Sequence, residues 1–306
     1  LDGAAHIMWV ITAYLLASTI MMPILGRLSD QLGRKPVLLA SVFVFTAGSL
    51  LGAVAWDMPV LIISRVIQGI GGGGLMVLSQ AAIADVVPVR DRGKYMGYLA
   101  GAFAFSSVVG PLLGGWFTEG PGWRWAFWIN VPLGILAFVV TALLLHTPPR
   151  PQEKSKQDYL GMALLASTTT ALVLASTWGG HQYDWISPQI IGLAIAAVIG
   201  AVAFVFAERK AAEPVIPMAL FLDRNFNMTT IGAIVLGIAM FGSISYMPTY
   251  LQMSMGVSAT VAGLMMISMM GGMLLTSIGT GIIISRTGRY RIYPIVGSII
   301  MMVGLF

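Results

Sequence analysis

The sequence predicts an all-α polytopic membrane protein, and three observations lead to this fold class. The chain is 57% hydrophobic and only 9% charged, whereas soluble domains carry about 25% charged residues. Apolar runs long enough to cross a bilayer as helices follow one another along the chain. Basic residues are concentrated in alternate connections between these runs. Lipid is therefore the expected solvent for most of the surface.

Ten apolar runs are candidate spans, and the last of them begins shortly before the final residue. A span needs about 20 predominantly apolar residues. On this criterion we predict spans near 7–27, 37–56, 60–84, 95–118, 125–146, 159–178, 188–207, 227–251 and 259–284, and a further one from about 292.

The basic residues provide a test of this span count. Short cytoplasmic loops collect Lys and Arg, so alternate connections should be basic. Fifteen of the 17 basic residues fall, three at a time, in alternate connections: Arg27, Arg34, Lys35; Arg90, Arg92, Lys94; Arg150, Lys154, Lys156; Arg209, Lys210, Arg224; Arg286, Arg289, Arg291. Only Arg124 lies in an opposite connection. Residue 1 is thus expected outside the cell, which suggests a further upstream helix and an internal fragment of a longer protein.

The composition also disfavours several functional classes. With no cysteine, the chain has no disulfide framework and no thiolate site. The net charge of +5 reflects the basic connections and indicates no nucleic-acid partner. A membrane enzyme needs clustered His, Asp, Glu or Ser–His groups near one membrane face, and the sequence has none; a phosphate-binding loop of an ATP-driven pump is also missing. We expect no metal and no cofactor. A receptor is not excluded, but nothing indicates one.

The first connection, residues 26–36, has the sequence GRLSDQLGRKP. Gly33 permits a positive φ where the chain reverses, and Asp30 can accept backbone N–H bonds near a helix start. One interpretation is a basic connection that only fixes topology. The string, however, resembles the signature of the major facilitator superfamily, Gly-x-Leu-x-Asp-x-x-Gly-Arg-Lys/Arg, found between the family's second and third helices. This resemblance implies that Asp30, Gly33, Arg34 and Lys35 form a conformational latch between the two halves of a transporter.

Arg65 is the one charge inside a predicted span, and Gln68 follows one helical turn later. The arginine either snorkels to the outer interface or has a function within the membrane. The string from Arg65 to Gly69 resembles the family's Arg-x-x-Gln-Gly motif, whose arginine faces the cavity and is implicated in proton transfer. The resemblance implies that Arg65 and Gln68 take part in proton coupling. All carboxylates of this sequence fall in connections or at span ends. The family resemblance implies that the proton-carrying carboxylate lies on the helix expected upstream.

The fourth predicted span contains Gly110-Pro111-Leu-Leu-Gly114-Gly115. Small residues at this spacing let helices approach closely, and Pro111 removes a backbone donor, so a packing seam with a kink is one interpretation. The string also resembles the antiporter signature Gly-Pro-x-x-Gly-Gly of facilitator exporters. That resemblance implies export rather than uptake.

The sequence near residue 288 is similar to that of the first connection, residues 26–36, and this similarity indicates two related halves. Gly288 and Arg289 stand 255 residues after Gly33 and Arg34, although Ser285 replaces Asp30. Two extra spans lie between the copies, as in the fourteen-helix drug:proton antiporter subfamily, whose Trp-Arg-Trp-x-Phe-x-Ile-Asn-Val-Pro signature residues 123–132 also resemble. We therefore expect about ten of fourteen helices of a major facilitator fold, without the first helix and the C-terminal end. The expected organisation is an N-terminal half bundle (1–146), an inserted helix pair with cytoplasmic linkers (147–224) and the start of the C-terminal half (225–306).

The resemblance implies a monomeric, proton-coupled exporter of small amphipathic drugs or toxic compounds, working by alternating access in a bacterial plasma membrane. Export of an endogenous siderophore, lipid or antibiotic is the alternative, and no residue separates the two. For the substrate cavity we expect Tyr14, Phe241, Tyr246 and Tyr250, near a methionine-rich run at 265–273, because Met and aromatic surfaces suit varied apolar ligands. Stripes of this kind are also typical of helix packing or lipid contact.

Overall fold

The computed structural model describes residues 7–146, 158–180, 182–211, 214–257, 259–288 and 291–305. In these ranges the chain forms α-helices and one 3₁₀ helix, Met218–Leu222. The α-helices are α1 (Ile7–Leu32), α2 (Arg34–Ala53), α3 (Met58–Val86), α4 (Arg92–Glu119), α5 (Trp125–Trp128), α6 (Asn130–Leu144), α7 (Tyr159–Trp178), α8 (Pro188–Lys210), α9 (Arg224–Met255), α10 (Ala259–Thr287) and α11 (Ile292–Leu305).

Seven of the described segments are long and apolar enough to cross a membrane, and a shorter apolar helix covers Ile292–Gly304. Each of the ten predicted spans corresponds to a helix, so the all-α prediction is confirmed. The fifth span is divided at Ile129 into α5 and α6. The linker 147–157 lies outside the described residues, and so do Arg150, Lys154, Lys156 and Arg289.

The first connection differs from its prediction. We expected residues 26–36 to form a turn, but α1 continues to Leu32 and leaves only Gly33 between α1 and α2. Asp30 therefore lies in the last turn of α1, and the expectation that it sits near a helix start is wrong. The reason is burial, because Leu28 packs against the apolar core and Ser29 is fully buried. A helix satisfies its own backbone groups where water is absent.

The helices fall into two compact units, which we describe separately. The first unit contains the described residues up to Ala82 together with Gly122–Thr229. In it, α2 packs against α1 and α6, while α7 pairs with α8 and also contacts α1. Its apolar core is formed by Leu25, Val37, Leu38, Val42 and Leu78.

Three glycines let α3 contact the backbones of α1 and α2. A Cβ atom added to Gly69 would lie 2.6 Å from the carbonyl oxygen of Tyr14 in α1. One added to Gly71 would lie 2.5 Å from the carbonyl oxygen of Ser41 in α2. Gly73 continues the contact with α1 one helical turn further along, at the carbonyl group of Ser18, whereas Gly74 faces the side chains of Ser41 and Leu25. Such close packing is typical of helices that associate in lipid, where van der Waals contact replaces the hydrophobic effect.

The second unit contains Ile83–Pro121 together with the described residues from Thr230 onward, and it is built around the pair α4 and α10. In this unit, too, glycines allow the two helices to pack closely. A Cβ added to Gly97 would lie 3.3 Å from the carbonyl oxygen of Ser277, and one added to Gly281 would lie 2.5 Å from that of Gly93. The packing seam of α4 thus lies in its first half.

In the first unit, Arg124 binds a backbone carbonyl in the connection that follows α2. Its Nη2 donates a hydrogen bond of 2.8 Å to the carbonyl oxygen of Ala55, a residue with no exposed surface. The guanidinium also lies 4.5 Å from the centre of the Trp123 ring. This carbonyl lies beyond the end of α2 and has no following helical N–H, so the arginine satisfies a group that would otherwise be buried without a partner.

We predict that Gly71→Ala destabilises the first unit by about 1–3 kcal/mol, because the added methyl group forces α2 and α3 apart. Thermal unfolding in detergent, followed by helical circular dichroism, measures the change. Gly192→Ala is the matched control, since a Cβ there meets no atom within 4 Å. The control should be neutral or stabilising by up to about 1 kcal/mol, as helix propensity predicts. Equal effects of the two substitutions would contradict the packing role of Gly71.

Candidate functional site

The hairpin between α1 and α2 holds a compact cluster of charged and polar groups. Gly33 adopts a φ of 94°, a conformation that side chains other than glycine rarely adopt. Immediately after it, Arg34 turns back towards the end of α1. Its Nη2 lies 2.5 Å from a carboxylate oxygen of Asp30.

Arg34 also binds the last turns of α1 through uncharged groups. Its Nη1 donates to the hydroxyl oxygen of Ser29 and, at 3.4 Å, to the carbonyl oxygen of Gly26. The Ser29 hydroxyl in turn donates to the same Gly26 carbonyl at 2.6 Å. A cation near a helix C-terminus is favoured by the helix dipole. The arginine therefore fastens the C-terminal turns of α1 to the start of α2.

The predicted latch residues are brought together only in part. Asp30, Gly33 and Arg34 form the cluster, whereas Lys35 is half-buried and takes no part in the hydrogen bonds and the ion pair described above. The role of these four residues as a latch stays a prediction.

A second cluster surrounds Arg65, a half-buried arginine of α3. The Nε of Arg65 donates a hydrogen bond of 2.8 Å to the carbonyl oxygen of Val10 in α1. Its Nη1 donates to the side-chain oxygen of Gln68. The amide nitrogen of Gln68 then donates to the hydroxyl of Ser49 in α2 at 2.7 Å. This chain of hydrogen bonds links α1, α2 and α3 around one positive charge.

Two aromatic rings lie beside the guanidinium of Arg65. Arg65 lies 4.3 Å from the centre of the Tyr14 ring and 5.9 Å from that of Phe127. Gln68 is only 2% exposed, and Ser49 is fully buried. In the described part of the chain we find no carboxylate within ion-pair distance of Arg65. The positive charge is met instead by a carbonyl, an amide and an aromatic face, each a favourable partner for a guanidinium.

The glycines of the predicted antiporter motif lie in an unbroken helix. α4 runs from Arg92 to Glu119 through Pro111. A Cβ atom added to Gly110 or Gly114 would meet nothing within 4 Å, so close packing occurs at Gly97 and not at these positions. The side chains of Pro111 and Gly115 lie outside the described part of the structure. The contribution of this motif to export stays a prediction.

The predicted substrate-cavity residues are divided between the two units. Tyr14 belongs to the first unit and stacks on Arg65. Tyr246 and Tyr250 belong to the second unit, where they are 75% and 60% exposed. The side chain of Phe241 lies outside the described residues. Whether these residues share a cavity stays a prediction.

Sequence reasoning missed Glu208. We placed it in a linker at the end of a span, but α8 continues to Lys210 and buries Glu208 to 2% exposure. The only signal in the sequence is its position before Arg209 and Lys210, which would mark a helix end rather than a buried acid.

These features define a multi-pass α-helical membrane protein with glycine-lined helix contacts. The chain belongs to the Major Facilitator Superfamily, whose family model matches residues 3–306. Membership places it among transporters rather than enzymes.

Relatives with curated names support the same class. An uncharacterized MFS-type transporter of Mycobacterium tuberculosis (strain ATCC 25618 / H37Rv) is 44% identical over 295 residues, covering 96% of this chain and 43% of the relative. The multidrug transporter protein MdtP of Bacillus subtilis (strain 168) is 38% identical over 307 residues, covering 100% of this chain and 56% of the relative. The efflux pump FUS6 of Gibberella fujikuroi is 33% identical over 308 residues, covering 97% and 55%. The chain thus spans about half the length of the curated relatives it matches.

A solved structure has a similar fold. The human organic anion transporter MFSD10 (TETRAN) matches with a TM-score of 0.61 at 18% sequence identity, covering 90% of this chain and 56% of that one. At this identity the similarity shows the fold alone.

We predict that Arg34→Ala destabilises the α1–α2 hairpin by about 2–3 kcal/mol, because it removes hydrogen bonds from a charged donor to three groups. Asp30→Asn should cost less than about 1 kcal/mol, since the side chain of Asp30 is exposed and exposed ion pairs contribute little. Thermal unfolding in detergent distinguishes the two, with Lys35→Ala as the control that should leave stability unchanged. A larger effect of Asp30→Asn than of Arg34→Ala would contradict the assignment of Arg34 as the central group.

Proposed function

We propose that this chain forms part of a proton-coupled secondary exporter of small amphipathic compounds, working by alternating access in a bacterial plasma membrane. The observation that carries the proposal is the Arg65 cluster. A guanidinium held between three helices by an α1 carbonyl and Gln68 has a fixed position within a membrane span. Intramembrane charges of this kind typically mark ion or substrate pathways. The names of two relatives, a multidrug transporter and an efflux pump, support export.

The other motifs have defined roles in this proposal. Asp30, Gly33, Arg34 and Lys35 latch one conformation of the transporter on its cytoplasmic side, with Asp30 and Arg34 as the charged pair. Gly110, Pro111, Gly114 and Gly115 give α4 a flexible segment. Tyr14, Phe241, Tyr246 and Tyr250 contribute to an apolar substrate cavity.

We also propose the organisation of the fourteen-helix antiporter subfamily for this chain. It comprises an N-terminal half bundle (1–146), an inserted helix pair (147–224) and the start of a C-terminal half (225–306). The pairing of α7 with α8 supports an inserted pair. The basic connections face the cytoplasm, residue 1 faces the outside, and the transporter is a monomer.

We predict that Arg65→Ala in the full-length protein abolishes dye efflux driven by an imposed pH gradient, while the protein still inserts into the membrane. Arg65→Lys should also lose most activity, because an ammonium group does not reproduce the planar fork that contacts Val10 and Gln68. Efflux from proteoliposomes loaded with a fluorescent cation provides the measurement.

Arg124→Ala is the matched control for this experiment. Arg124 also donates to a carbonyl and stacks on an aromatic ring, but it lies in a connection between helices. Its substitution should lower stability and retain coupled efflux per folded molecule. Unchanged efflux in Arg65→Ala would remove Arg65 from the mechanism.

Export of an endogenous metabolite is the second candidate function. A relative 33% identical to this chain, from Aspergillus aculeatus, is named as the MFS-type transporter of the acurin A biosynthesis cluster. A screen of efflux in cells, with drugs and secreted metabolites compared, separates the two candidates. We expect several structurally unrelated cationic dyes to be exported; export of a single metabolite and of no dye would favour the second candidate.

A further inference from the structure

Two carboxylates meet where α7 begins and α8 ends, in the first unit. Asp158 is the N-cap of α7, and its Oδ1 accepts a hydrogen bond of 2.8 Å from the backbone nitrogen of Gly161. Glu208 lies in the last turn of α8, and its Oε2 accepts a hydrogen bond of 3.1 Å from the backbone nitrogen of Ile216. One oxygen of each carboxylate therefore binds the backbone.

The other oxygen of each carboxylate is buried and lacks a hydrogen-bond partner in the described residues. These atoms are Oδ2 of Asp158 and Oε1 of Glu208. Both point at Gly161, since a Cβ added there would lie 2.6 Å from Glu208 Oε1 and closer still to Asp158 Oδ2. Glu208 as a whole is only 2% exposed. Two acceptor atoms thus converge on one small buried space beside Gly161.

The charges around this space favour a single proton. The groups that act on Glu208 from neighbouring elements are Asp158 on α7 and Arg27 on α1, while Arg209 and Lys210 on its own helix are exposed. Two ionised carboxylates with buried, unbonded oxygens repel each other and lose their hydration. One proton shared between the two carboxylates removes one of the two negative charges, and Arg27 on α1 is a cation whose charge acts on Glu208.

We propose that Asp158 and Glu208 form a proton-binding carboxyl pair that shares one proton at neutral pH. The shared proton holds the start of α7 to the end of α8, and through Ile216 it also holds the segment 214–217. A metal ion fits the space less well, because no group of three or more His, Asp or Glu side chains occurs among the described residues. Loss of the proton leaves two repelling charges, so the attachment weakens as the pH rises.

Infrared difference spectroscopy of the purified chain in lipid nanodiscs tests the pair directly, without use of transport. At neutral pH the wild type should show the C=O stretch of a protonated carboxyl group, which disappears on titration to alkaline pH. Both Glu208→Gln and Asp158→Asn should remove this band, and Asp184→Asn, at an exposed carboxylate, should retain it. No such band in the wild type overturns the proposal. Loss of the band in only one of the two variants also overturns it, because the proton would then belong to one residue.

The pH dependence of stability provides a second measurement. The wild-type unfolding temperature should fall between mildly acidic and mildly alkaline pH, because the shared proton is lost over that range. Glu208→Gln places an amide donor where the protonated acid stood, so its unfolding temperature should change less with pH, while Asp184→Asn should follow the wild type. The same pH dependence in Glu208→Gln and wild type contradicts the proposal. Where Glu208→Gln yields no folded protein, the wild-type infrared band alone decides.

Discussion

The first unit depends on the direct contact of the α3 backbone with α1 and α2. In hydrocarbon, helices gain little from burying apolar side chains, because lipid is equally apolar. Stability must come from close van der Waals contact and from polar groups that find partners inside the protein. Gly69 and Gly71 allow that contact on two faces of one helix. The approach of the backbones brings Val10 within hydrogen-bonding reach of Arg65, and Ser49 within reach of Gln68.

The requirements of a lipid environment also explain which features could be predicted from the sequence. Span positions follow from apolar length, and most helix ends lie within a few residues of the predicted span ends. Gly33 could be predicted as the reversal point because a positive φ strongly favours glycine. The separation of α5 and α6 at Ile129 was not predicted, and the sequence near it shows only Pro132, three residues later.

Features that depend on neighbours distant in sequence could not be predicted. The continuation of α1 past Asp30 follows from the burial of Ser29, which requires knowledge of what packs there. The burial of Glu208 follows from Gly161, whose missing side chain leaves room for two carboxylates. From the sequence alone, Asp158 and Glu208 are ordinary acidic residues at the ends of predicted spans. Only the arrangement of α7 beside α8 shows that they face each other.

Arg65 and Arg124 make similar bonds for different physical reasons. The Ala55 carbonyl lies in a connection and has no helical N–H to accept, so Arg124 satisfies a group that the fold leaves open. The Val10 carbonyl lies inside α1, where the N–H four residues later already provides the regular helical bond. Removing Arg65 therefore leaves no orphan carbonyl in α1. The desolvation cost of Arg65 in a membrane span is therefore offset not by the backbone of α1 but by side chains, because Arg65 is the donor to the buried side-chain oxygen of Gln68.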